Sequence, residues 1–395
     1  MQFSLIECGF LMTSRIISWL FFFYCLSTVL LPVFVLNKLF FIPIFLMAFY
    51  VLLTRPLSTV APVIVFLIFL YGFLLGLIGN TDADFSRQML LGAVSLFLIY
   101  SIVEFRVDMG EIVKSVGAIF ALFMCVFSFV LMAEPGSFLG MALLDFYNAN
   151  ELGYYGLRSF GGLEMFMLHH RSSPFLLLPL SLFFIDFLQV KRFWSLFFVI
   201  VILMAVVWSA SRGLIVMAAV SMLVLYFYNK NWSARLLMLC ILVPVIVLGM
   251  GYLLTETSIF SSDEQSNNIK IGHVISFLKV ADWKMLVFGN GLGSYYYTEG
   301  YGELAAQTEI TWMDSIRYVG LPLSLLLFSV LLFPNRRYIA SVQGSSSRLI
   351  IVMYLLMSLS NPVLFNSFGF LVILWYWSVV IKNQEPLALH AEVRR

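Results

Sequence analysis

Arg212 is the side chain in this sequence best suited to gripping an anion. It lies in Trp208-Ser209-Ala210-Ser211-Arg212-Gly213, between two apolar runs so close that it sits at the top of a tight helical hairpin. Ser211 and Gly213 let a phosphate approach the backbone and the guanidinium together, and a guanidinium suits a pyrophosphate through paired hydrogen bonds. The plainer alternative is an arginine reaching up to lipid headgroups. A second basic group, His169-His170-Arg171, ends just before Ser172-Ser173-Pro174. Proline there is ordinary helix-start chemistry. The three side chains form either a plain loop end or a basic rim beside Arg212, with Arg171 the strongest candidate among them.

Glu309 is the candidate general base. It stands in Gln307-Thr308-Glu309-Ile310-Thr311-Trp312, within a turn of a long apolar helix. Partial desolvation there raises a carboxyl pKa toward a usable range. Thr308 and Glu309 also suit a helix N-terminus for dipole reasons alone. Asp314 and Arg317 are three apart, so they either pair on one helix face or leave Arg317 to meet a substrate. Residues 271–286 place Ile271, Val274, Ile275, Leu278 and Met285 on one face, interrupted by Asp282, as expected of a helix lying in a membrane interface. Lys279 and Lys284 then point to headgroups, and His273 faces either a cavity or the packing beneath it.

No metal or cofactor is expected. Asp82-Ala83-Asp84 is a D-x-D, but two carboxylates lacking a third ligand hold a divalent ion poorly, and a solvated turn accounts for them. Cys8, Cys25, Cys125 and Cys240 form no C-x-x-C and fall in apolar runs or at the amino terminus, so neither a metal site nor an external disulfide follows. Gly289-Asn290-Gly291-Leu292-Gly293-Ser294 has a superficial likeness to a dinucleotide fingerprint without the β-α-β context. A flexible turn closing a loop onto the next helix is the expected role. There is no Walker A loop.

The elements that position these residues follow from composition. With 62% hydrophobic and 11% charged residues in 395, the chain has too little polar surface for a soluble globule. Apolar runs fall at roughly 15–36, 39–54, 57–78, 88–103, 113–133, 173–190, 193–209, 213–228, 236–254, 313–333, 349–366 and 367–381. Each approaches the ~20 residues that cross a bilayer. They are continuously apolar and do not alternate, so strands are not expected in them. The expectation is an all-α polytopic membrane protein of about twelve helices, one transmembrane domain over residues 1–395, with two long loops at 134–172 and 255–312. The first run is long enough to span and reads as a retained helix. If both termini are cytoplasmic, that side carries Arg15, Arg55, Arg106, Lys114, Lys191, Arg192, Lys230, Arg235, Arg336, Arg337, Arg348, Lys382, Arg394 and Arg395, most of the 23 basic residues. Both long loops then face outward, where long loops of mixed polarity usually cover a substrate site or form a docking surface. The net charge of +2 carries no sign of a nucleic-acid partner.

In the order of its features the chain resembles the O-antigen polymerases of the Wzy type and the related O-antigen ligases. The resemblance rests on Ser211-Arg212-Gly213 between adjacent spans, on the large loop ending in Gly289-Asn290-Gly291-Leu292-Gly293, and on Thr308-Glu309 before Tyr318-Val319-Gly320-Leu321. It covers roughly residues 150–330. It implies a fold similar to the membrane-embedded GT-C class and an inverting, metal-independent glycosyltransferase in the bacterial inner membrane, working at the periplasmic face. The implied donor is an undecaprenyl-pyrophosphate-linked oligosaccharide, which carries its own leaving group, so an external site needs no ATP. A chain-length regulator protein is an implied partner.

By likeness to the family's positions, Arg171 and Arg212 would hold the pyrophosphate. Ligases usually place a His followed by Asn where this chain has Thr308-Glu309, which favours a polymerase and makes Glu309 the base. His169, His170, His273, Arg317 and Tyr295 are further candidate substrate contacts, and Tyr154, Tyr155, Tyr296, Tyr297 and Trp312 either stack on sugars or anchor the interface. Two other readings compete. One is an O-antigen ligase that transfers finished polymer to the lipid A core. The other is a lipid-linked oligosaccharide flippase or transporter, which should show internal halves and charges near the bilayer midplane.

Overall fold

The computed structural model describes residues 2–32, 36–134, 136–160, 163–228, 265–335, 345–359 and 361–382. Its helices are α1 (Gln2–Leu30), α2 (Leu36–Thr54), α3 (Ala61–Gly76) and α4 (Ala83–Val94). A 3-10 turn, Ser95–Leu98, runs α4 into α5 (Ile99–Glu104), and α6 (Met109–Ala133) and α7 (Phe138–Ala149) follow. After a hairpin of β1 (Gly153–Phe160) and β2 (Leu163–His170) come α8 (Leu177–Val190), α9 (Phe193–Trp208) and α10 (Arg212–Tyr228). Next are α11 (Gln265–Val280), α12 (Trp283–Phe288), a short hairpin of β3 (Tyr296–Thr298) and β4 (Glu303–Ala305), then α13 (Thr311–Leu332), α14 (Ser345–Met357) and α15 (Ser367–Lys382).

The chain is thus mostly helical. Five helical stretches are long and apolar enough to cross a membrane: Leu36–Thr54, Ala83–Glu104, Met109–Ala133, Ser173–Val190 and Thr311–Leu332. Six shorter apolar helices accompany them among the described residues: Ser14–Leu30, Ala61–Gly76, Phe193–Trp208, Arg212–Tyr228, Ser346–Met357 and Ser367–Lys382. Every apolar run expected from sequence corresponds to one of these, except 236–254, which lies outside the described residues. Among the described residues the strands form two antiparallel hairpins, one in each long loop.

α15 is apolar all round and sits in the middle, with Phe368 through Ser378 buried along its length. A helix can be buried on every side only if its polar atoms find partners. Trp377 Nε1 donates to Leu331 O at 3.1 Å and Tyr376 Oη to Leu332 O at 2.8 Å. By contrast α2 leaves Leu39, Ile42, Leu46, Phe49, Tyr50 and Leu53 exposed, an apolar surface suited to lipid.

Hydrogen bonds between distant segments gather the chain into two ends. At one end Ser14 bonds Phe105 O, Thr59 bonds Pro334 O, and Lys382 bonds Val107 O. At the other, His170 meets Leu30 O, Arg158 meets Ala210 O, Asp82 N meets Gly293 O, and Thr311 meets Asn361 O. Both long loops therefore sit at the same end of the bundle.

The glycine run that leads out of α12 is a packed strap rather than a flexible turn. Asn290 N and Gly291 N donate to Arg317 O and Tyr318 O at 2.7 and 3.0 Å, and Leu292 N donates to Gly72 O at 2.8 Å. These bonds seat the strap between α3 and α13. A Cβ at Gly291, where φ is +92°, would lie 2.4 Å from the Gly76 Cα, so only glycine fits. Just beyond, α13 kinks at Gly320, with φ 80° and ψ 162°, against Val287 and Phe288 of α12 and just before Pro322. Proline removes a helix hydrogen bond, and glycine alone tolerates this backbone region.

Gly320→Ala would set a Cβ 2.4 Å from Val287 O. Gly320→Ala and Gly291→Ala should each destabilise the protein by roughly 1–3 kcal/mol or more, read as a fall in thermal midpoint of the detergent-solubilised chain. Gly136→Ala, with nothing within 4 Å of its Cβ position, should behave as the parent.

Candidate active site

The first long loop folds as α7 followed by the β1–β2 hairpin, whose register sets Tyr154 opposite His169 and Arg158 opposite Met165. Gly161-Gly162 joins two stretches rich in aromatic and branched residues, a hairpin signal that the sequence carried. Neighbouring strand residues face opposite ways. His170 is buried, receives Ser172 N on Nδ1 at 3.0 Å and turns Nε2 to Leu30 O at 3.3 Å. Since Nδ1 accepts, Nε2 carries the proton. Burial pushes this imidazole down to about 3, so it stays neutral and ties β2 to the end of α1. It is enclosed by protein rather than offered to a substrate. His169 stacks on Tyr154 with ring centres 4.6 Å apart, and its Nδ1 meets Ser209 O at 3.4 Å. Burial pushes it down to about 4.

Arg158, on the same hairpin, reaches the same turn: Nη1 donates to Ala210 O at 3.0 Å. Ala210 has a left-handed φ of +48°, and Arg212 follows as the first residue of α10, half-buried. Arg171 lies at the exposed rim, paired with Glu151 at 3.5 Å.

The second long loop contributes α11, α12 and the β3–β4 hairpin. A single amphipathic helix over 271–286 does not form. Asp282 breaks it by accepting Met285 N at 2.7 Å as the cap of α12. The exposed apolar face survives in Ile271, Val274, Ile275 and Leu278, while Gly272, His273, Ser276 and Phe277 face inward. Lys279 pairs with Glu299 across to the hairpin. His273 is fully buried, with Nδ1 2.5 Å from Thr298 Oγ1, the Tyr301 ring edge-on at 4.5 Å, and Nε2 lacking a hydrogen-bond partner. Burial holds it below the ordinary imidazole range.

Glu309 stands where the loops meet. Its side chain is 28% exposed, and Lys270 Nζ lies 3.8 Å from its carboxylate. Burial pushes the carboxyl above its usual range, opposed by the positive charges of Lys270 and of Arg158. Arg158 and Lys270 were not singled out by sequence. A lone arginine in a polar loop and a lysine in a helix look like any solvated charge.

Asp314 and Arg317 form the buried alternative, with side chains 5% and 1% exposed and 2.9 Å apart. Arg317 also donates to Ser294 O and, at 2.7 Å, to Ala306 O, and lies between the Tyr296 and Tyr318 rings at 4.5 and 4.7 Å. Asp314 accepts Thr308 N and Oγ1 at 2.7 and 3.1 Å. Arg317 is therefore a clamp within the wall and not a surface for substrate. Tyr295 is also engaged locally, its hydroxyl donating to Asp82 Oδ2 at 3.2 Å. Asp82 itself caps α4, and Asp84 pairs with Arg87, so the D-x-D is a capped turn. Among the described residues no group of three His, Cys, Asp or Glu is placed to hold a metal. A small cavity lined by Arg55, Pro56, Tyr100 and Glu104 shares no residue with the loop junction.

The sequence matches no protein-family model and no curated protein.

Removing one partner of a buried ion pair leaves an uncompensated charge, at about 3–5 kcal/mol. Arg317→Met should lower stability by that order, measured by thermal unfolding of the purified chain. Adding Asp314→Asn should recover part of the loss, because the neutral amide oxygen still accepts from Thr308.

Proposed function

We propose that this protein is a polytopic membrane glycosyltransferase that polymerises surface polysaccharide, joining polyprenyl-pyrophosphate-linked repeat units as O-antigen polymerases do. In this reading twelve spans form a GT-C-like bundle in the inner membrane, both termini are cytoplasmic, and the loop junction faces the periplasm. The observation that carries it is a half-buried carboxylate, Glu309, with Lys270 beside it, in one long loop, while Arg158 of the other loop grips the Arg212 turn and acts on Glu309 through its charge.

A hydroxyl on the non-reducing end of one lipid-linked unit attacks the anomeric carbon of the other. The new C–O bond forms as the bond from carbon to pyrophosphate oxygen breaks, on the opposite face, with inversion. The electron pair leaves with the pyrophosphate, whose negative charge Arg212 and the rim Arg171 offset. Glu309 takes the hydroxyl proton. No proton need be supplied to a leaving group that is already a stable anion. Exposed Tyr154 and Tyr155 line the same end and offer faces for sugar rings.

The test is a lipopolysaccharide gel from a strain lacking this gene, complemented with the parent, Arg212→Ala or Glu309→Gln. Collapse of the ladder to core plus a single repeat, with protein still in the membrane, is expected of both variants. A ligase would instead lose every O-antigen band and accumulate lipid-linked polymer, and an unchanged ladder would remove the residue from the reaction. In a reconstituted assay the rate should fall as pH drops through the Glu309 pKa, because the base works only when ionised. Since that pKa is raised by burial, the acid limb should lie above the ~4.3 of an ordinary glutamate. Glu309→Gln should abolish the limb with the activity.

A further inference from the structure

The α9–α10 turn that presents Arg212 is held in a conformation its own sequence does not favour. Ala210 adopts φ +48° with no exposure to solvent. A left-handed non-glycine residue is disfavoured by roughly 1–2 kcal/mol and persists where surrounding contacts over-determine it. Its carbonyl is gripped by Arg158 Nη1 at 3.0 Å, and the preceding Ser209 carbonyl is met by His169 at 3.4 Å. Both contacts come from the β1–β2 hairpin, 52 and 40 residues away in sequence. These two side chains hydrogen-bond the turn to a hairpin remote from it in sequence.

Glu309 arrives from a third segment. The charged and titratable groups acting on it are Lys270 from α11 and Arg158 from β1, and Glu309 in turn acts on Tyr154 of β1 and Tyr301 beside β3. Arg158 thus bonds the Arg212 turn directly and acts on Glu309 through its charge alone. Its planar fork can donate to a carbonyl through one nitrogen while its delocalised charge serves a carboxylate, which a lysine cannot do with one ammonium.

Resting on the glycosyltransferase reading above, we propose that Arg158 is a positioning residue: by holding the Ala210 carbonyl it fixes the turn that presents Arg212 to the leaving group. Misplacement of reacting groups by about 1 Å lowers rates on the order of 10²-fold.

The full chain in lipid vesicles, supplied with its lipid-linked repeat unit, is assayed for kcat, KM and pH dependence as the parent, Arg158→Lys and Arg158→Met. Arg158→Met is expected to lose about 10²-fold in kcat with KM changed little, and to move the acid limb to higher pH because Glu309 has lost a cation. Arg158→Lys should return the limb toward the parent position while kcat stays low, since charge is restored and the fork is not. A merely structural role would reduce the folded fraction and leave kcat per folded molecule and the limb in place, which overturns the proposal. If Arg158→Met does not fold, Arg158→Lys decides alone, and a parental kcat there is equally fatal. Glu309→Gln and Arg212→Ala are run alongside. Parental rates in those two sink the glycosyltransferase assignment itself, whereas their inactivity beside a parental Arg158→Met sinks only the role of Arg158.

Discussion

A guanidinium sealed inside one end of a helical bundle needs its charge and its terminal donors matched, and matching Arg317 Nη1 and Nη2 organises that end of the molecule. Desolvating a charge costs several kcal/mol unless a partner and hydrogen bonds replace water. Arg317 finds Asp314 on its own helix, the carbonyl of Ser294 ahead of β3, and the carbonyl of Ala306 after β4. The two ends of the β3–β4 hairpin are therefore bound to the first turns of α13. Asp314, held by Arg317, in turn receives Thr308 through backbone and side chain. Glu309 is the next residue after this fixed point, so its backbone position is set even though its carboxylate remains partly open to water.

A second constraint acts a short distance away. The strap from Gly289 to Gly293 runs between α3 and α13 at distances no side chain permits, and it meets α13 where Gly320 and Pro322 break the helix. Backbone-to-backbone packing of this kind is rigid, because amide groups on both sides are committed to each other. The loop between the strap and α13 is consequently a short, anchored hairpin. The first loop is anchored differently, through His170 to α1 and through Arg158 and His169 to the α9–α10 turn. In the proposed reaction these two separately anchored loops would hold charge in place beforehand, and preorganised charge lowers a barrier that develops charge.

The helices were legible because continuous apolar runs of bilayer length have few other ways to satisfy their backbone. The partial burial of Glu309 was legible for a similar reason, since a carboxylate at the edge of such a run is partly desolvated wherever the loops go. The hairpins were not read, although Gly161-Gly162 between β-rich stretches pointed to one of them. Arg158 had no mark in the sequence: its partner is the carbonyl of Ala210, a left-handed residue 52 positions away. His169 and His170 look equivalent as a pair of letters. Their opposite facing on β2 gave one a place within hydrogen-bond reach of the Arg212 turn and sealed the other against α1.

The sequence by itself determined that this is a mostly helical protein built for a membrane, with polar chemistry gathered in two long loops, because hydrophobic length and charge placement are local properties. Tertiary structure alone decided which charges are buried, paired or exposed. Arg317 became a buried clamp, Asp82 a helix cap, Arg171 an exposed rim residue, and Arg158 with Lys270 the cations acting on Glu309. Burial, partner and distance control what a charged side chain can do, and each is set by segments far away along the chain.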